Sequence, residues 1–517
     1  MSRQTKRTSR RRKVRTSRSS KKAFPQLPWA EIHTSYSALE PLEDKDLDLI
    51  HDASMTILEQ HGIEVLSQQV KERFEEVGAN VNWSSGIVRI DRDKILEIID
   101  SAPSSFTLTP RNPNRQLEIG GDQIHFGMVS GPPNVHDFIR GRRPANFKDY
   151  QSLVKLGQAF NAIHFFGNQT IAPIDLHPNT RHLDTYRSTL MLSDKVFAAV
   201  PLGRDRIRDA VEMVALARGL SLKELALSPS LLGNININSP RKLDEAMSDA
   251  ALALAEYGQA TIVTPFTLMG AMAPVTLGAA LAQQNAEALF SIAMIQLFFP
   301  GSLVVYGGFT SNVDMRSGAP TFGTPENGKA NLVGGQLARR YGIPYRSSGC
   351  NASNIADAQA VYETQMSCWS AMLGRANLLY HAAGWLEGGL VASFEKVVID
   401  VEILQHMSSF FSTTPTINQE ELALDSIGSV VPGGHFFGTK HTLERYETAF
   451  YNPILSDWQN NESWAESGSR DATRRATDIW QSIIEDFEAP ELDQGRQDAI
   501  NEYVDARKQE IQSNNDS

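Results

Sequence analysis

One complete unit of the pattern that decides the fold is ATIVTPFTLMGAMAPVTLGAALAQQNAEALFSIAMIQLFFPGSLVVY, residues 260–306. It opens with a β-branched run at Thr261–Val263, continues with a helical segment at Thr276–Phe298 and ends in a second strand-like run at Leu303–Tyr306. The first half carries no charge and is long enough to cross a bilayer. Because prolines and amides interrupt it, a buried strand leading into a buried helix is the better interpretation. We therefore predict a soluble protein with no membrane segment.

The same strand–helix unit recurs along the chain. Apolar or β-branched runs lie at Ile124–Val129, Ile163–Gly167, Val196–Val200, Leu231–Ile235, Thr261–Val263, Leu303–Tyr306, Pro344–Arg346 and Leu378–His381. A helical segment follows each run. Eight such units predict an α/β fold with a closed parallel (β/α)8 TIM barrel. An open doubly wound sheet would need a glycine-rich loop after its first strand, where this chain has two prolines.

The segments outside these units predict four parts of the chain. We expect a basic, disordered tail at 1–25, an N-terminal α+β cap at 26–122, the barrel at 123–411 and a C-terminal helical region at 412–517. Helices outside a barrel commonly mediate self-association, so we also expect a homo-oligomer.

Charge and cysteine content narrow the class of protein. The first 22 residues carry 11 Lys or Arg, whereas the rest of the chain has 38 basic and 60 acidic residues. The tail is either a tether for a polyanion or a solvated segment that touches an acidic partner. The acidic body argues against nucleic-acid binding. Two cysteines exclude a disulfide framework and favour the cytoplasm.

The loops after the strands should supply the chemistry, because active sites of barrels lie at that end. These loops contain few acids, bases or paired nucleophiles but many Asn, Gly and aromatic residues, and aromatic faces can hold a quaternary ammonium by cation–π attraction. We assign His381 and Asn351 to catalysis and no residue to a metal. The residues assigned to substrate binding are Phe126, Asn168, Tyr306, Phe309, Arg346, Cys350, Trp385 and Glu387.

Each assignment has a structural alternative. The aromatic residues could simply pack the barrel mouth, His381 could be a buried histidine bonded to backbone, and Cys350 could be a small core residue. No P-loop, nucleophile elbow, HExxH or dinucleotide motif is present in the sequence.

Long runs of the chain resemble the trimethylamine methyltransferase family. They are MGAMAPVTLGAALAQQNAEALFSI (269–292), GGFTSNVDMRSGAPTFGTPE (307–326), ADAQAVYE (356–363), HAAGWLEGGLVASFEKVVIDVE (381–402) and GGHFFGTKHTLERYETAFYNP (433–453). The resemblance covers roughly residues 30–490. It implies a TIM barrel that transfers a methyl group from a methylated amine to the cobalt of a separate corrinoid protein. No cofactor would then be bound tightly, because the partner carries the cobalamin.

The resemblance also bears on the substrate. Archaeal members that use trimethylamine carry pyrrolysine, whereas the loop after the seventh strand reads SSGCNASNIADAQ (347–359) here. Members without pyrrolysine include enzymes that act on glycine betaine and related quaternary amines, so this substrate class is implied. A quaternary ammonium expels a neutral amine and needs no general acid, which fits the rim. For a betaine carboxylate, Arg346 and His381 are the candidate donors.

Other functions remain open on the sequence alone. Trimethylamine could be demethylated by the same chemistry. A metal-assisted lyase or hydrolase on the same barrel, or a protein that binds quaternary amines without turnover, would also fit the fold.

Overall fold

The computed structural model describes residues 24–515 and contains a closed eight-stranded parallel barrel. The basic tail predicted for residues 1–25 lies, up to residue 23, outside the described residues. Each strand pairs in parallel with the next, and the last pairs with the first, which confirms the predicted barrel. The strands are β1 (Gln123–Met128), β2 (Phe165–Phe166), β3 (Val196–Ala199), β4 (Leu231–Ile237), β5 (Ala260–Pro265), β6 (Val304–Gly307), β7 (Tyr345–Ser348) and β8 (Leu378–Ala383).

One long helix follows each strand and covers the outside of the barrel. Several begin at side chains that accept a backbone N–H bond, such as Asn146, Asp244 and Thr324, as expected of N-cap residues. The helices are α1 (Phe147–Ala159), α2 (Arg181–Leu192), α3 (Arg204–Arg218), α4 (Glu245–Glu256), α5 (Leu277–Phe298), α6 (Pro325–Arg340), α7 (Ala358–Leu373) and α8 (Phe394–Ser412).

Alternation of side chains along the strands separates two cores. Phe165, Leu232 and Val305 point into the barrel and form one apolar cluster, while their neighbours pack against the helices. A β-hairpin of Ser105–Leu108 and Leu117–Gly120 adds Leu108, Leu117 and Ile119 to that inner cluster and closes the N-terminal end of the barrel. The C-terminal end is therefore the open one.

The N-terminal cap explains the charge-free stretch noted in the sequence. Cap helices Asp44–Thr56 and Arg92–Ile99 pack on α5, and Phe74 of helix Gln68–Glu76 stacks on Phe290 at 4.5 Å. With the barrel on one side and the cap on the other, α5 is buried almost all round and needs no polar face. Within residues 24–515, no helix is long and apolar enough to cross a membrane.

A four-stranded sheet joins the cap to the barrel loops. Its strands are Ile63–Val65, Asn80–Asn82, Ile87–Arg89 and Lys242–Leu243. The last of these follows β4, so the cap is tied to the barrel by backbone hydrogen bonds as well as by packing.

The C-terminal region returns to the barrel through two helices. Helix Ala472–Glu485 packs on α8, where Trp480 and Phe394 have ring centroids 4.9 Å apart. Helix Gln494–Asn515 is held on α3 by Arg507, whose Nε donates to buried Asp209 at 2.8 Å. Residues 413–453, between α8 and these helices, contain no buried side chain.

Candidate substrate site at the barrel mouth

Five rings meet at the C-terminal end of the barrel and form what we call the aromatic cage: Phe266, Phe309, Phe322, His381 and Trp385. Ring centroids are 4.9 Å apart for Phe266 and Phe309, 5.1 Å for Phe309 and Phe322, and 4.2 Å for His381 and Trp385. His381 belongs to β8 itself, and the loops after β5, β6 and β8 supply the other four rings. Phe266 and Phe309 are only partly buried, so the cage opens towards solvent. Such a cluster of aromatic faces is suited to an organic cation.

A lone guanidinium lies against the cage. Arg346 of β7 is stacked between the rings of Phe309 and Tyr380, at 5.0 and 4.9 Å, and is only 1% exposed. Its Nη1 donates to the Gly308 carbonyl at 3.3 Å. Among the described residues no carboxylate forms an ion pair with it, and its Nε has no hydrogen-bond partner. Because a buried charge is costly unless paired, the guanidinium of Arg346 is suited to an anion that binds at the mouth.

The charge of Arg346 survives its burial. Desolvation lowers the pKa of Arg346 to about 10, which leaves the guanidinium protonated at neutral pH. The cage therefore combines apolar aromatic faces with one full positive charge on its inner side. That combination suits a molecule that carries both a methylated cation and an anion.

His381 occupies an irregular point of β8. The register between β8 and β1 shifts between Leu379 and Ala383, and His381 has φ 56°, in the left-handed region. Bulges and strained residues of this kind often re-aim side chains at functional sites. Burial, with a smaller contribution from Arg346, lowers the pKa of His381 well below its usual range. The imidazole is thus neutral at pH 7 and does not repel a cation.

Asn351 holds Trp385 in place. The indole Nε1 donates to the Asn351 carbonyl at 3.1 Å, and the Asn351 amide donates back to the Trp385 carbonyl. The same amide donates to Thr364 at 3.1 Å, and Lys396 also donates to that hydroxyl, at 2.9 Å. Lys396 in turn pairs with buried Asp400. The described contacts of Asn351 thus position a cage ring.

Amides lie on the wall formed by β2 and β4. Asn168 is partly buried and accepts a hydrogen bond from Ser130. Asn234 accepts from Thr264 at 2.7 Å and donates to exposed Asn236 at 3.1 Å. These groups make the mouth polar on the side away from the cage.

The remaining predicted residues lie around the cage or behind its wall. Phe126 and Tyr306 face the surrounding helices, where the Tyr306 hydroxyl donates to Asn285 of α5 at 3.0 Å.

Burial raises the pKa of the Cys350 thiol well above its usual range, so this cysteine is protonated. Glu387 forms an ion pair with Arg142 at 3.0 Å at the edge of the mouth.

Sequence reasoning missed Phe266 and Phe322 as cage residues, and Tyr380 as a partner of Arg346. Phe266 was visible as the first residue beyond β5, at the same rim position that made Phe309 a candidate. Phe322 gave no such signal, because the pairing of Ser311–Val313 with Pro320–Thr321 folds it back onto the cage. Within residues 24–515, no group of three or more His, Cys, Asp or Glu side chains is placed to hold a metal ion.

Comparison with known proteins now fixes the family. The trimethylamine methyltransferase (MTTB) family matches residues 7–512. The chain belongs to this family. It is therefore a methyltransferase. Membership of this family argues against the lyase, hydrolase and binding-protein alternatives.

Individual relatives give the same result. A glycine betaine methyltransferase of Desulfitobacterium hafniense is 35% identical over 477 residues, which cover 91% of this chain and 97% of that one. A trimethylamine methyltransferase of Methanosarcina barkeri is 27% identical and covers 87% of this chain and 91% of its own length. A crystal structure of the Methanosarcina barkeri monomethylamine methyltransferase covers 89% of this chain and 97% of its own, at 10% identity and a TM-score of 0.44. The barrel itself rests on the strand pairing described above.

Proposed function

We propose that this enzyme transfers a methyl group from a carboxylated quaternary amine of the glycine betaine type to a corrinoid carried by a separate protein. The observation that carries the proposal is the buried, unpaired guanidinium of Arg346 in contact with the aromatic cage. A carboxylate would give that charge its missing partner, and the cage would hold the trimethylammonium group. Trimethylamine could fill the cage but has nothing to offer Arg346.

The dimensions of a betaine suit the two subsites. Only one carbon separates nitrogen from carboxylate in glycine betaine, and Arg346 lies 5.0 Å from the Phe309 ring. One molecule can therefore contact both. Cation–π attraction contributes on the order of 2 kcal/mol when the cation is desolvated. A bidentate Arg–carboxylate pair would add strength and fix the orientation of the substrate.

The reaction asks little of acid–base groups. The C–N bond breaks with its electron pair remaining on nitrogen, which leaves as a neutral tertiary amine. The corrinoid supplies the nucleophile and both electrons of the new bond to carbon. Since no proton moves, a neutral His381 and a protonated Cys350 are compatible with turnover. The residues of the cage desolvate the cation, orient it and aim one methyl group at the mouth.

The surface around the mouth supports a protein as the methyl acceptor. Five large apolar side chains, each about half exposed or more, lie on loops that follow five different strands. They are Ile174, Leu202, Val275, Met315 and Leu390. A rim of exposed apolar groups around a site opening is typical of a docking surface. We assign it to the corrinoid protein, since the acceptor has to meet the methyl group at this opening.

We also propose that the enzyme works in the cytoplasm. Cys350 and Cys368 are both free and buried, as in proteins of reducing compartments. A reduced corrinoid needs the same conditions.

A spectroscopic assay tests the proposal. The protein would be mixed anaerobically with cob(I)alamin and, separately, with glycine betaine, proline betaine, carnitine or trimethylamine, while the cobalamin absorbance is followed. We expect methylation with at least one carboxylated quaternary amine and a slower reaction, or none, with trimethylamine. Reaction with trimethylamine alone would contradict the substrate class. If none of the amines reacts, and none reacts with a purified corrinoid protein either, the proposed reaction is wrong.

A further inference from the structure

Residues 413–453, which we call the arm, leave the body after α8. The next segment is anchored again at Ile454, whose N–H donates to Glu402 of α8 at 2.8 Å. Three short helices, Gln419–Leu422, Leu424–Ser429 and Lys440–Leu443, lie within the arm. An ion pair of Arg445 with Glu420 at 2.6 Å ties its two halves together. The arm is thus a folded unit and carries one of the runs that identified the family, residues 433–453.

The arm has no core of its own. None of its side chains is buried, although ten are large and apolar. They are Ile417, Leu422, Leu424, Ile427, Val431, Phe436, Phe437, Leu443, Tyr446 and Phe450. At roughly 100 Å² of exposed surface each, they present on the order of 1,000 Å², which matches the roughly 800 Å² that each partner buries in a stable complex. A folded segment with this surface is expected to pack on something else.

The body of the same chain carries an open apolar cleft. A cavity of 870 Å³ lies between the starts of α7 and α8 and helix Ala472–Glu485. Phe138, Ile355 and Tyr362 line it and are 52%, 53% and 62% exposed. The apolar surface continues along α7 to Met366, one turn beyond Tyr362 and 45% exposed. No arm residue lines this cleft in its own chain.

One carboxylate oxygen in the cleft has no hydrogen-bond donor within the described part of the chain. Glu395 lines it and is 1% exposed. Its Oε1 accepts from Phe138 N–H, Thr477 and Trp480, whereas its Oε2 is buried and accepts nothing among the described residues. An occupant with both apolar and donor groups would complete the cleft, and the arm offers aromatic rings next to Lys440 and His441.

We propose that the arm of one molecule packs into this cleft of a second copy of the chain. Arm and cleft are two uncovered apolar surfaces of one chain, and reciprocal exchange buries both in a two-fold dimer. The corrinoid protein is the less suitable occupant of the arm. The arm starts at the C-terminal end of α8, at the end of the barrel away from the cage, whereas the acceptor has to reach the mouth.

The mass of the full-length protein in solution tests this proposal without any use of activity. Multi-angle light scattering at micromolar concentration should give at least the mass of a dimer. The double variant Phe437→Ser/Phe450→Ser removes two rings that are 80% and 82% exposed. We expect it to raise the dimer dissociation constant about 100-fold, the effect of losing hot-spot aromatics. Since both rings are exposed in the protomer, the variant should stay folded, and its circular dichroism spectrum should match that of the wild type.

Two further variants identify the surfaces. Tyr362→Asp in the cleft should dissociate the dimer as the arm variant does. Leu227→Ser is the matched control, because Leu227 is 88% exposed but belongs to neither surface, and it should leave the mass unchanged. A monomeric wild type would overturn the proposal, and so would a dimer that the arm variant leaves intact. Dissociation by the arm variant but not by Tyr362→Asp would overturn the cleft as the receiving surface. Because mass is the readout, these results do not depend on the proposed reaction.

Discussion

The two ends of the barrel interior are built for different purposes. At the N-terminal end, Leu232, Val305 and Phe165 meet the plugging hairpin in one apolar cluster. At the C-terminal end, the wall buries the charge of Arg346, the Nδ1 of His381 and the hydroxyl of Tyr380, none of which is paired or hydrogen-bonded within residues 24–515 (for Arg346, at its Nε). The first arrangement stabilises the fold. The second lowers the stability of the fold, because its buried polar groups are unpaired, and is typical of a ligand-binding site. Substitutions should therefore separate stability from activity according to the end they touch.

The largest effect is expected from Arg346→Met. Removal of the guanidinium leaves the substrate carboxylate buried without a partner. We therefore expect kcat/KM for glycine betaine to fall roughly 1,000-fold, which corresponds to a loss of about 4 kcal/mol in binding free energy. The Tm should not fall and is expected to rise, because an uncompensated charge leaves the interior. Anaerobic kinetics with cob(I)alamin and calorimetric melting measure the two effects. A variant with unchanged kcat/KM would remove Arg346 from the substrate site.

The converse change is Leu232→Ala at the other end of the barrel. This residue is fully buried, so a cavity should lower the free energy of unfolding by about 3 kcal/mol. Urea denaturation measures the loss, and kcat/KM per folded molecule should stay close to that of the wild type. If activity falls as much as in the Arg346 variant, the two ends are not independent.

Trp385→Leu tests the cage itself. Loss of this ring should weaken cation binding by about 2 kcal/mol of free energy, and kcat/KM should therefore fall roughly 30-fold. Trp385→Phe keeps an aromatic face and should recover most of the activity, whereas a purely structural role would make both variants equally poor. The same assay with the carbon isostere of the substrate, which lacks the positive charge but keeps the carboxylate, gives a competitive inhibition constant. The Leu variant should leave that constant nearly unchanged.

The smallest effect concerns pH. Arg346 is charged below its pKa of about 10 and neutral above it. The association constant of glycine betaine should therefore stay nearly constant up to about pH 9 and fall to about half at pH 10. Stability should change in the opposite direction. Because folding lowers this pKa from the ordinary range of an arginine, the native state loses the proton first, and the cost of burying the charge begins to fall as pH rises past 10. Calorimetric titration of glycine betaine from pH 7 to 10 measures the binding, with Arg346→Met as the control that shows no such titration.

The sequence was sufficient for the barrel and for part of the cage. Short apolar runs such as Leu378–His381 indicate buried parallel strands, because both faces of such strands are apolar. This signal does not depend on the sequence of the loops. The ends of those strands then predicted Phe309, Arg346, His381 and Trp385, which the structure brings together. These are positions where a strand end and a chemically suitable side chain coincide.

Other positions could not be read from the pattern. Tyr306 lies in β6, a strand that is apolar on both faces, and a shift of one residue decides whether a side chain faces the barrel or the helices. Periodicity does not reveal that phase when every residue is apolar. Phe322 reaches the cage through a loop hairpin, and the unpaired state of Arg346 depends on which acids are absent nearby in space. Both are properties of tertiary structure alone.

The most direct test of the central claim is an experimental structure of the enzyme with glycine betaine. We predict the carboxylate oxygens within about 3 Å of the Arg346 guanidinium nitrogens, a normal hydrogen-bond distance. The quaternary nitrogen should lie within about 6 Å of the Phe309 and Trp385 ring centroids, with one methyl group directed towards the mouth. A betaine bound elsewhere, for example with its carboxylate on Arg142 at the rim, would contradict the assignment of Arg346 and the cage.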